Sequence, residues 1–350
     1  MFFASDNSGP AHPDVMAALQ DANQNYAMPY GADPLMDEVR QRLRDVFEAP
    51  EAAVYLVATG TAANSLALAT LVNPYDTVFC SPVSHIHEDE CNAPEFYTSG
   101  AKLTLVPGGD KMTPEALRAS IAGEETRGVH GPQRGAVSIT QVTERGSVYT
   151  LAELKALCDV AKGFDLPVHL DGARFTNAMV ALGCSAAEMT WKAGVDAVSF
   201  GGTKNGLMGV EAVIFFDPAK AWEFELRRKR GAHLFSKHRY LSAQMAAYLR
   251  DDLWITMAQS ANTAAARLKA GLEALDISFL HPADANIIFA EFSRAAHQRL
   301  HEAGAVYYVW SGDLEGEDPD ELLAARMVCD WSCTDENVDR FLAILSAQAA

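Results

Sequence analysis

The chain has 350 residues and a mass of 37.8 kDa; 49% of its residues are hydrophobic and 21% charged, an ordinary balance for one large globular domain with a smaller companion. Its formal net charge of −18 argues against nucleic acid or an anionic membrane as a partner, because the long-range field repels both. The same charge leaves a small phosphate ligand open, since a local cup of backbone N–H groups can outweigh a distant field.

The N-terminus and the cysteines predict a cytoplasmic protein. The opening MFFASDNSGP lacks the positively charged and apolar segments of a signal peptide, and no apolar run is long enough to cross a bilayer. Six cysteines are scattered along the chain, which favours free thiols in a reducing compartment. Cys329 and Cys333 have no further Cys or His nearby in sequence, so we expect no metal there.

Short apolar, β-branched runs predict seven strands, in chain order Ala53–Ala58, Thr77–Ser81, Leu103–Val106, Ala136–Val142, Pro167–Leu170, Ala197–Phe200 and Ala212–Phe216. Helical patterns lie between several of them, at Thr61–Val72, Pro114–Ile121, Leu151–Phe164 and Ala186–Ala193. The pattern then changes to long helices, Trp222–Arg230 and Ser242–Ala274, and a shorter strand-and-helix portion runs from Ile277 to the end.

This order predicts an α/β fold with a mostly parallel sheet covered by helices on both faces. We expect a large domain over residues 1–245 and a small C-terminal α/β domain over residues 246–350. Ligands of an open parallel sheet bind at the carboxyl ends of its strands. Residues that carry chemistry are therefore expected just after the predicted strands.

The turn after the first predicted strand has the composition of a phosphate site. It reads Thr59-Gly60-Thr61-Ala62-Ala63-Asn64, where glycine allows a close turn and the next helix presents unpaired N–H groups. No Gly-Lys-Ser/Thr follows, so the turn is not a Walker A loop. Taken alone, the same residues also fit a plain strand-to-helix turn with a threonine cap.

An acidic residue ends the fifth predicted strand. Asp171, in His169-Leu170-Asp171-Gly172-Ala173-Arg174, should be buried, where an unpaired carboxylate is costly. Two cationic partners are open to it, the protonated pyridine nitrogen of a cofactor and the guanidinium of Arg174.

A single lysine flanked by glycines follows the sixth predicted strand, in Phe200-Gly201-Gly202-Thr203-Lys204-Asn205-Gly206. The glycines clear space for a bulky group to approach the amine, and such a lysine is suited to imine formation. By itself the motif also fits a surface lysine in a flexible loop. The combination is more specific, because a phosphate cup, a buried acid and an accessible amine are what pyridoxal 5'-phosphate requires.

The sequence resembles the threonine aldolase family of fold-type-I pyridoxal-phosphate enzymes over nearly its whole length. Such a resemblance implies an aspartate-aminotransferase-like large domain with a mostly parallel seven-stranded sheet. The segments that carry it are Ala4-Ser5-Asp6-Asn7, Tyr30-Gly31-Ala32-Asp33-Pro34, the Thr59-Gly60-Thr61 cup, Ser84-His85-Ile86 with Glu90, the run from His169 to Arg174, and Thr203-Lys204.

The resemblance implies a role for each matched residue. The cofactor-binding residues would be Thr59, Gly60, Thr61, His85, Gln141, Asp171, Thr203, Lys204 and Arg239. Among these, His85 would stack on the cofactor ring, Asp171 would pair with the ring nitrogen, and Lys204 would be the Schiff-base lysine. The substrate-binding residues would be Ser5, Tyr30, Glu90, Arg174 and Arg326, with Ser5 and the two arginines on the substrate carboxylate.

Two further positions concern assembly and catalysis. Tyr30 and Arg239 resemble residues that reach a neighbouring subunit's site, which implies a homo-oligomer, either a dimer or a tetramer. His130 resembles a loop histidine near the substrate's β-hydroxyl. This chain departs from the family at Thr59, at Gly202-Thr203 and at Gln141, where relatives carry Ser, Leu-Ser and Asn. Such changes keep the hydroxyl and amide chemistry and indicate a separate branch.

The implied reaction is cleavage of L-threonine, L-allo-threonine and related β-hydroxy-α-amino acids to glycine and an aldehyde, with Lys204, His85, His130 and Asp171 as catalytic residues. His130, His85, Glu90 or an ordered water could be the base, although an aromatic stacking role is favoured for His85. His169 faces the opposite side of its strand from Leu170, which favours a structural role.

Three alternatives share some of these features. An aminotransferase or a β-eliminating lyase would use the same cofactor residues, and only the substrate side separates them. A Rossmann-type dinucleotide enzyme would need G-x-G-x-x-G after its first strand, which this chain lacks. A non-catalytic binding protein is the remaining alternative; a purely structural protein would have no reason for a glycine-flanked lysine at a strand end.

Overall fold

A computed structural model describes residues 1–347. Seven strands form the larger sheet: β1 (Ala53–Val57), β2 (Asp76–Cys80), β3 (Lys102–Leu105), β4 (Gln133–Thr140), β5 (Val168–Gly172), β6 (Ala197–Gly201) and β7 (Glu211–Phe215). Their order is β1-β7-β6-β5-β4-β2-β3, and only β7 runs antiparallel to its two neighbours. The predicted mostly parallel seven-stranded sheet is therefore confirmed.

Helices cover both faces of this sheet, which is why its strands are continuous apolar runs. They are α1 (Pro13–Ala22), α2 (Pro34–Val46), α3 (Gly60–Leu71), α4 (His85–Glu88), α5 (Ala93–Tyr97), α6 (Pro114–Gly123), α7 (Leu151–Lys162), α8 (Phe175–Leu182), α9 (Ala221–Arg230), α10 (Arg239–Tyr248) and α11 (Leu253–Ala274). Side-chain caps fix several starts; Thr150, for example, forms a reciprocal capping box with Glu153 at the start of α7.

The C-terminal portion is a second, smaller unit. Its strands are β8 (Ser278–Phe279), β9 (Ile287–Ser293), β10 (Tyr308–Ser311) and β11 (Leu322–Val328), and its helices are α12 (Arg294–Glu302) and α13 (Asp335–Ser346). The strands form a fully antiparallel sheet in the order β10-β11-β9-β8. This arrangement confirms the predicted small C-terminal α/β portion.

Helix α11 joins the two units. Its first turns place Trp254 and Met257 in the core under the larger sheet, whereas Leu268 and Leu272 pack in the core of the smaller unit. The predicted boundary near residue 245 falls inside α10 and stays a prediction.

The N-terminus packs with the C-terminal unit. The Phe3 side chain is fully buried in the smaller core. Its backbone N–H donates to the Val306 carbonyl at 2.7 Å, and its carbonyl accepts the Val328 N–H at 2.8 Å. These contacts hold Ser5 and Asp6, which follow shortly after Phe3, near the carboxyl ends of the parallel strands, where the candidate site lies.

Two predicted helices differ from the structure. Residues 186–193 form consecutive turns rather than a helix. The predicted Ser242–Ala274 helix is broken between α10 and α11, because Asp251 and Asp252 take positive φ angles of 51° and 56°, a conformation that ends an α-helix. No helix in residues 1–347 combines the length and apolarity that a bilayer crossing requires.

Candidate active site

A cavity of about 380 Å³ opens at the carboxyl ends of the parallel strands. It brings together seven of the residues predicted from the sequence: Thr59, Gly60, Thr61, His85, Asp171, Thr203 and Lys204. Strand β7 adds Glu211, helix α3 adds Asn64 and the N-terminal segment adds Asn7. Because the site collects residues from six separate segments, it is a product of the sheet topology.

The turn from β1 into α3 forms one end of this cavity. The Thr59 hydroxyl caps α3 by accepting the Ala62 N–H at 3.2 Å, and the Thr59 carbonyl accepts the Ala63 N–H at 3.0 Å. Within residues 1–347, the N–H groups of Gly60 and Thr61 have no hydrogen-bond partner. Two free donors at a helix N-terminus are suited to binding a phosphate group.

Asp171 ends β5 in a buried position at the floor of the cavity. Its Oδ1 accepts a hydrogen bond from the Ala173 N–H at 3.1 Å, and its Oδ2 accepts one from Asn64 Nδ2 at 2.9 Å. An internal ion pair with Arg174, one of the two alternatives open from the sequence, is therefore wrong. The carboxylate lines the cavity and has no cationic side-chain partner among residues 1–347.

Arg174 pairs instead with Asp6 of the N-terminal segment. Nε and Nη2 donate to the two Asp6 oxygens at 2.7 and 3.0 Å, and both side chains are almost completely buried. Burial alone would raise the pKa of Asp6, but the positive charges of Arg174 and Lys204 hold it below its usual value. Asn286 Nδ2 also donates to Asp6 at 3.1 Å, which ties this pair to the smaller unit.

Lys204 lies in a 3₁₀ turn, Thr203–Asn205, directly after β6. The turn is tight: a Cβ on Gly202 would lie 2.6 Å from the Val210 carbonyl oxygen, and Gly206 has φ +92°. Asn205 anchors the turn to the protein interior, since its Nδ2 donates to the Tyr248 hydroxyl at 2.7 Å and the Trp254 carbonyl at 2.9 Å. The lysine therefore stands on a rigid support and is not in a flexible surface loop.

Glu211 was not predicted from the sequence, where it reads as an ordinary strand residue. Its Oε2 accepts the Gly202 N–H at 2.7 Å, so the carboxylate holds the backbone that carries Lys204. Burial raises the pKa of Glu211 to about 7, although the hydrogen bonds from Thr203 and Gly202 and the charge of Lys204 act in the opposite direction. Glu211 lies opposite Gly201 in the β6–β7 strand pair, a placement that only the structure shows.

His85 opens α4 and forms a wall of the cavity. Its Nδ1 lies 2.8 Å from Glu90 Oε1, and the Glu90 side chain is fully buried. Burial alone would lower the pKa of His85, but the hydrogen bond with Glu90 and the charges of Asp171 and Glu144 raise it above its usual value. The structure thus places Glu90 behind His85, where it does not line the cavity.

A second cavity of about 470 Å³ adjoins the first, and Asp89 lines both. It contains Ser5 and Arg326, two residues expected at a substrate carboxylate, together with Glu144, Tyr308 and Trp310. Arg326 Nη1 also donates to the Ala4 carbonyl at 3.3 Å. We call the first cavity the cofactor-side cavity and this one the substrate-side cavity, after the roles that the sequence predicts for the residues in each.

Five other predicted residues do not line either cavity within one chain, and one of them is Arg174, whose side chain is buried against Asp6. Gln141 is fully buried, with Nε2 donating to the Tyr149 carbonyl and Oε1 accepting the Tyr149 N–H, both at 2.9 Å. His130 lies exposed on the 3₁₀ turn Gly128–His130. Tyr30 is 47% exposed, and Arg239 donates to the Asn25 carbonyl at 3.0 Å on the surface.

His169 has the structural surroundings expected for it. The ring is fully buried between Ser138 and Ser199, each 3.0 Å from one ring nitrogen. Burial lowers its pKa to about 4 despite the charge of Asp171, so the ring is neutral at pH 7.

Comparisons with known proteins agree with this geometry. A family model described as beta-eliminating lyase matches residues 3–295. The chain is 41% identical to a low specificity L-threonine aldolase from Pseudomonas aeruginosa, over 96% of this chain and 94% of that protein. It is 38% identical to a low specificity L-threonine aldolase from another Pseudomonas strain, over 99% and 97%. The solved structure of a threonine aldolase from Leishmania major superposes with a TM-score of 0.91 at 25% identity, covering 98% of both chains.

Proposed function

The chain belongs to the beta-eliminating lyase family, and from that membership we propose that it is a pyridoxal-phosphate-dependent aldolase. It would cleave L-threonine, L-allo-threonine and related β-hydroxy-α-amino acids to glycine and an aldehyde, a substrate class taken from the two relatives named as low specificity L-threonine aldolases. The observation that carries the proposal is the cofactor-side cavity, which joins Lys204, Asp171 and the Gly60–Thr61 turn.

The donor set of this cavity fits pyridoxal 5'-phosphate. The free N–H groups of Gly60 and Thr61 can hold the phosphate, and Asp171 offers a buried anion to the protonated ring nitrogen. Lys204 offers the amine that binds the aldehyde. When bound, the cofactor supplies a conjugated ring that accepts the electron pair of the bond broken at Cα.

We propose that Ser5, Arg174 and Arg326 hold the substrate carboxylate. Asp6 occupies Nε and Nη2 of Arg174, and the guanidinium therefore still has the Nη1 donors to offer. Arg326 faces the substrate-side cavity. Two guanidinium groups on one carboxylate fix its orientation as well as its charge, which would set the direction of the Cα–Cβ bond.

The base that takes the β-hydroxyl proton would be His130 or an ordered water. Glu90 holds Nδ1 of His85 at 2.8 Å and raises the pKa of the ring, so the imidazole is fixed in place and binds a proton more tightly than an ordinary histidine. We therefore propose that His85 stacks on the cofactor and holds a proton at Nε2.

We propose that the protein is a cytoplasmic homo-oligomer, a dimer or a tetramer, whose sites are shared between subunits. Tyr30 and Arg239 do not line the cavities of their own chain. The adjacent Tyr26 and Met28 expose large apolar side chains, at 104% and 66%. A second copy of the chain covering this surface would bring Tyr30 and Arg239 to its own cavity.

An absorption spectrum followed by an aldehyde assay tests the proposal. We expect a yellow protein that loses its colour in Lys204→Ala and that releases equal amounts of glycine and acetaldehyde from L-threonine. A protein that takes up no added pyridoxal phosphate would overturn both cofactor and reaction. A yellow protein inactive on threonine, allo-threonine and phenylserine would keep the cofactor and overturn the aldolase.

The description of the matching family favours one second candidate, β-elimination. It would use the same cofactor residues but release a leaving group from Cβ instead of an aldehyde. Pyruvate and ammonia released from β-chloroalanine faster than acetaldehyde from threonine would support this candidate over the aldolase.

A further inference from the structure

A continuous chain of hydrogen bonds connects the two side chains on opposite sides of the cofactor-side cavity. His85 Nδ1 lies 2.8 Å from Glu90 Oε1, the same oxygen accepts from Asn64 Nδ2 at 2.9 Å, and Asn64 Nδ2 also donates to Asp171 Oδ2 at 2.9 Å. Glu90, Asn64 and Asp171 are each no more than 3% exposed. A chain this well buried is little screened by solvent.

Asn64 Nδ2 is the donor to both acids, whereas its Oδ1 is buried with no partner in residues 1–347. Its amide nitrogen carries two protons, and each goes to a different carboxylate. The reverse orientation would place Oδ1 between two carboxylate oxygens, which repel it. One amide nitrogen thus donates a hydrogen bond to each of the two acids, and neither acid has to act as the donor.

The surrounding charges favour a proton on the His85–Glu90 pair. Burial and the negative charge of Asp171 raise the pKa of Glu90, while His85 and Asn64 act to lower it. His85 faces the same Asp171 charge, that of Glu144, and the opposing charge of Lys204. Glu90 Oε2 is buried with no partner in residues 1–347, so an ionised Glu90 depends on a charged His85 beside it.

We propose that Glu90 and Asn64 are positioning residues, which join His85 to Asp171 so that the orientation and charge of these two cofactor-facing groups are set together. Glu90 fixes Nδ1 of His85 and leaves Nε2 for the cavity. Asn64 holds Asp171 in place through the hydrogen bond to Oδ2. The functional meaning of this inference rests on the proposed cofactor. The hydrogen-bond chain itself consists only of protein side chains, so it can be measured in the cofactor-free protein.

The first experiment follows the imidazole C2–H signals of the ten histidines by NMR titration of the cofactor-free protein, with His85→Asn assigning the signal. We expect His85 to titrate above an ordinary histidine, and Glu90→Gln to lower its pKa by about one unit, a tenfold loss of proton affinity. Ser138→Ala, which alters the hydrogen bond of His169, is the matched control and should leave His85 unchanged. An unchanged His85 in Glu90→Gln would overturn the proposal.

The second experiment measures pyridoxal-phosphate affinity in Glu90→Gln, Asn64→Ala and the double variant. If Glu90 and Asn64 belong to one hydrogen-bond chain, their losses of affinity should not add. The double variant should then bind the cofactor no more weakly than the weaker-binding single variant. Effects that multiply would show two independent contacts and overturn the linkage. Should the variants fail to fold, the wild-type titration still decides, because a His85 pKa at or below the ordinary histidine value contradicts a proton held by Glu90. Neither experiment requires aldolase activity, so failure of the proposed reaction would be seen separately.

Discussion

The cofactor-side and substrate-side cavities are built in different ways. The cofactor-side cavity takes its main groups from turns that directly follow strands of one sheet, as with Gly60 after β1, Asp171 in β5 and Lys204 after β6. The substrate-side cavity combines Ser5, Glu144 and Arg326, which come from both ends and the middle of the chain. The cofactor side thus depends on local turns, whereas the substrate side depends on how two units and the N-terminus pack.

Two buried carboxylates near these cavities have opposite pKa shifts. Asp6 has a bidentate arginine partner, and its pKa is lowered. Glu211 on the cofactor side has chiefly neutral hydrogen-bond donors, and its pKa is raised to about 7. A full cationic partner outweighs burial, but backbone N–H groups do not. Four variants test this contrast.

The largest effect should come from removing the amine on the cofactor side. Lys204→Ala should lower kcat for threonine cleavage by roughly 10⁴-fold or more, as for removal of a covalent catalytic group elsewhere. The turn is held by Asn205 and Glu211, so the unfolding free energy should hardly change. Steady-state kinetics and urea unfolding of the same sample check both parts, and a large loss of stability would show that Lys204 supports the turn.

The next effect concerns the buried ion pair. Arg174→Leu should reduce the unfolding free energy by about 3–5 kcal/mol, because it leaves Asp6 buried without its cation. The double variant Asp6→Leu/Arg174→Leu should recover much of that loss in urea unfolding. A double variant as unstable as the single one would mean that packing, and not the unpaired charge, is responsible.

Glu211→Gln should change how stability depends on pH. The folded-state pKa of about 7 lies above the usual 4.5, so the contribution of Glu211 is full below pH 4.5 and is lost as pH rises through about 7. The variant should therefore gain up to roughly 3 kcal/mol relative to wild type between pH 4.5 and 8. Urea unfolding of cofactor-free protein across that range measures it, and a constant difference would contradict the raised pKa.

The smallest effect should follow from Arg326→Gln on the substrate side. Arg326 has no carboxylate partner among residues 1–347, so its loss should leave stability within about 1 kcal/mol. The KM for threonine should rise by about 10- to 100-fold, as for a lost charge-assisted hydrogen bond. A lowered kcat with an unchanged KM would instead place Arg326 in the chemical step.

The sequence predicted many of the residues that line the cofactor-side cavity, because the signals there are local. A glycine-threonine turn after an apolar run and a glycine-flanked lysine each specify their own backbone, and all seven predicted strands are present within a few residues of their expected ends. Residues 186–193 were mispredicted as a helix because their alanines and methionine fit a helical pattern, whereas the structure there is a series of turns.

Asn64 and Glu211 gave no signal in the sequence. Each occupies an ordinary position in a helix or strand, and its importance comes from a partner far along the chain or across a strand pair. Gln141 shows the reverse, since a family-like position led to a prediction that its buried contacts with Tyr149 do not support within one chain. The local sequence pattern does not predict which face of a buried helix or strand lines the cavity.

By itself, the sequence determined the order of strands and helices, the glycine-threonine turn after β1, the acid near the end of β5 and the lysine after β6, because backbone propensity and glycine placement act over a few residues. Only the tertiary structure decided that Arg174 pairs with Asp6, that Glu90 lies behind His85 and that Asn64 bridges two acids. Buried charges must find partners within about 3 Å, and which groups come that close is settled by packing between distant segments.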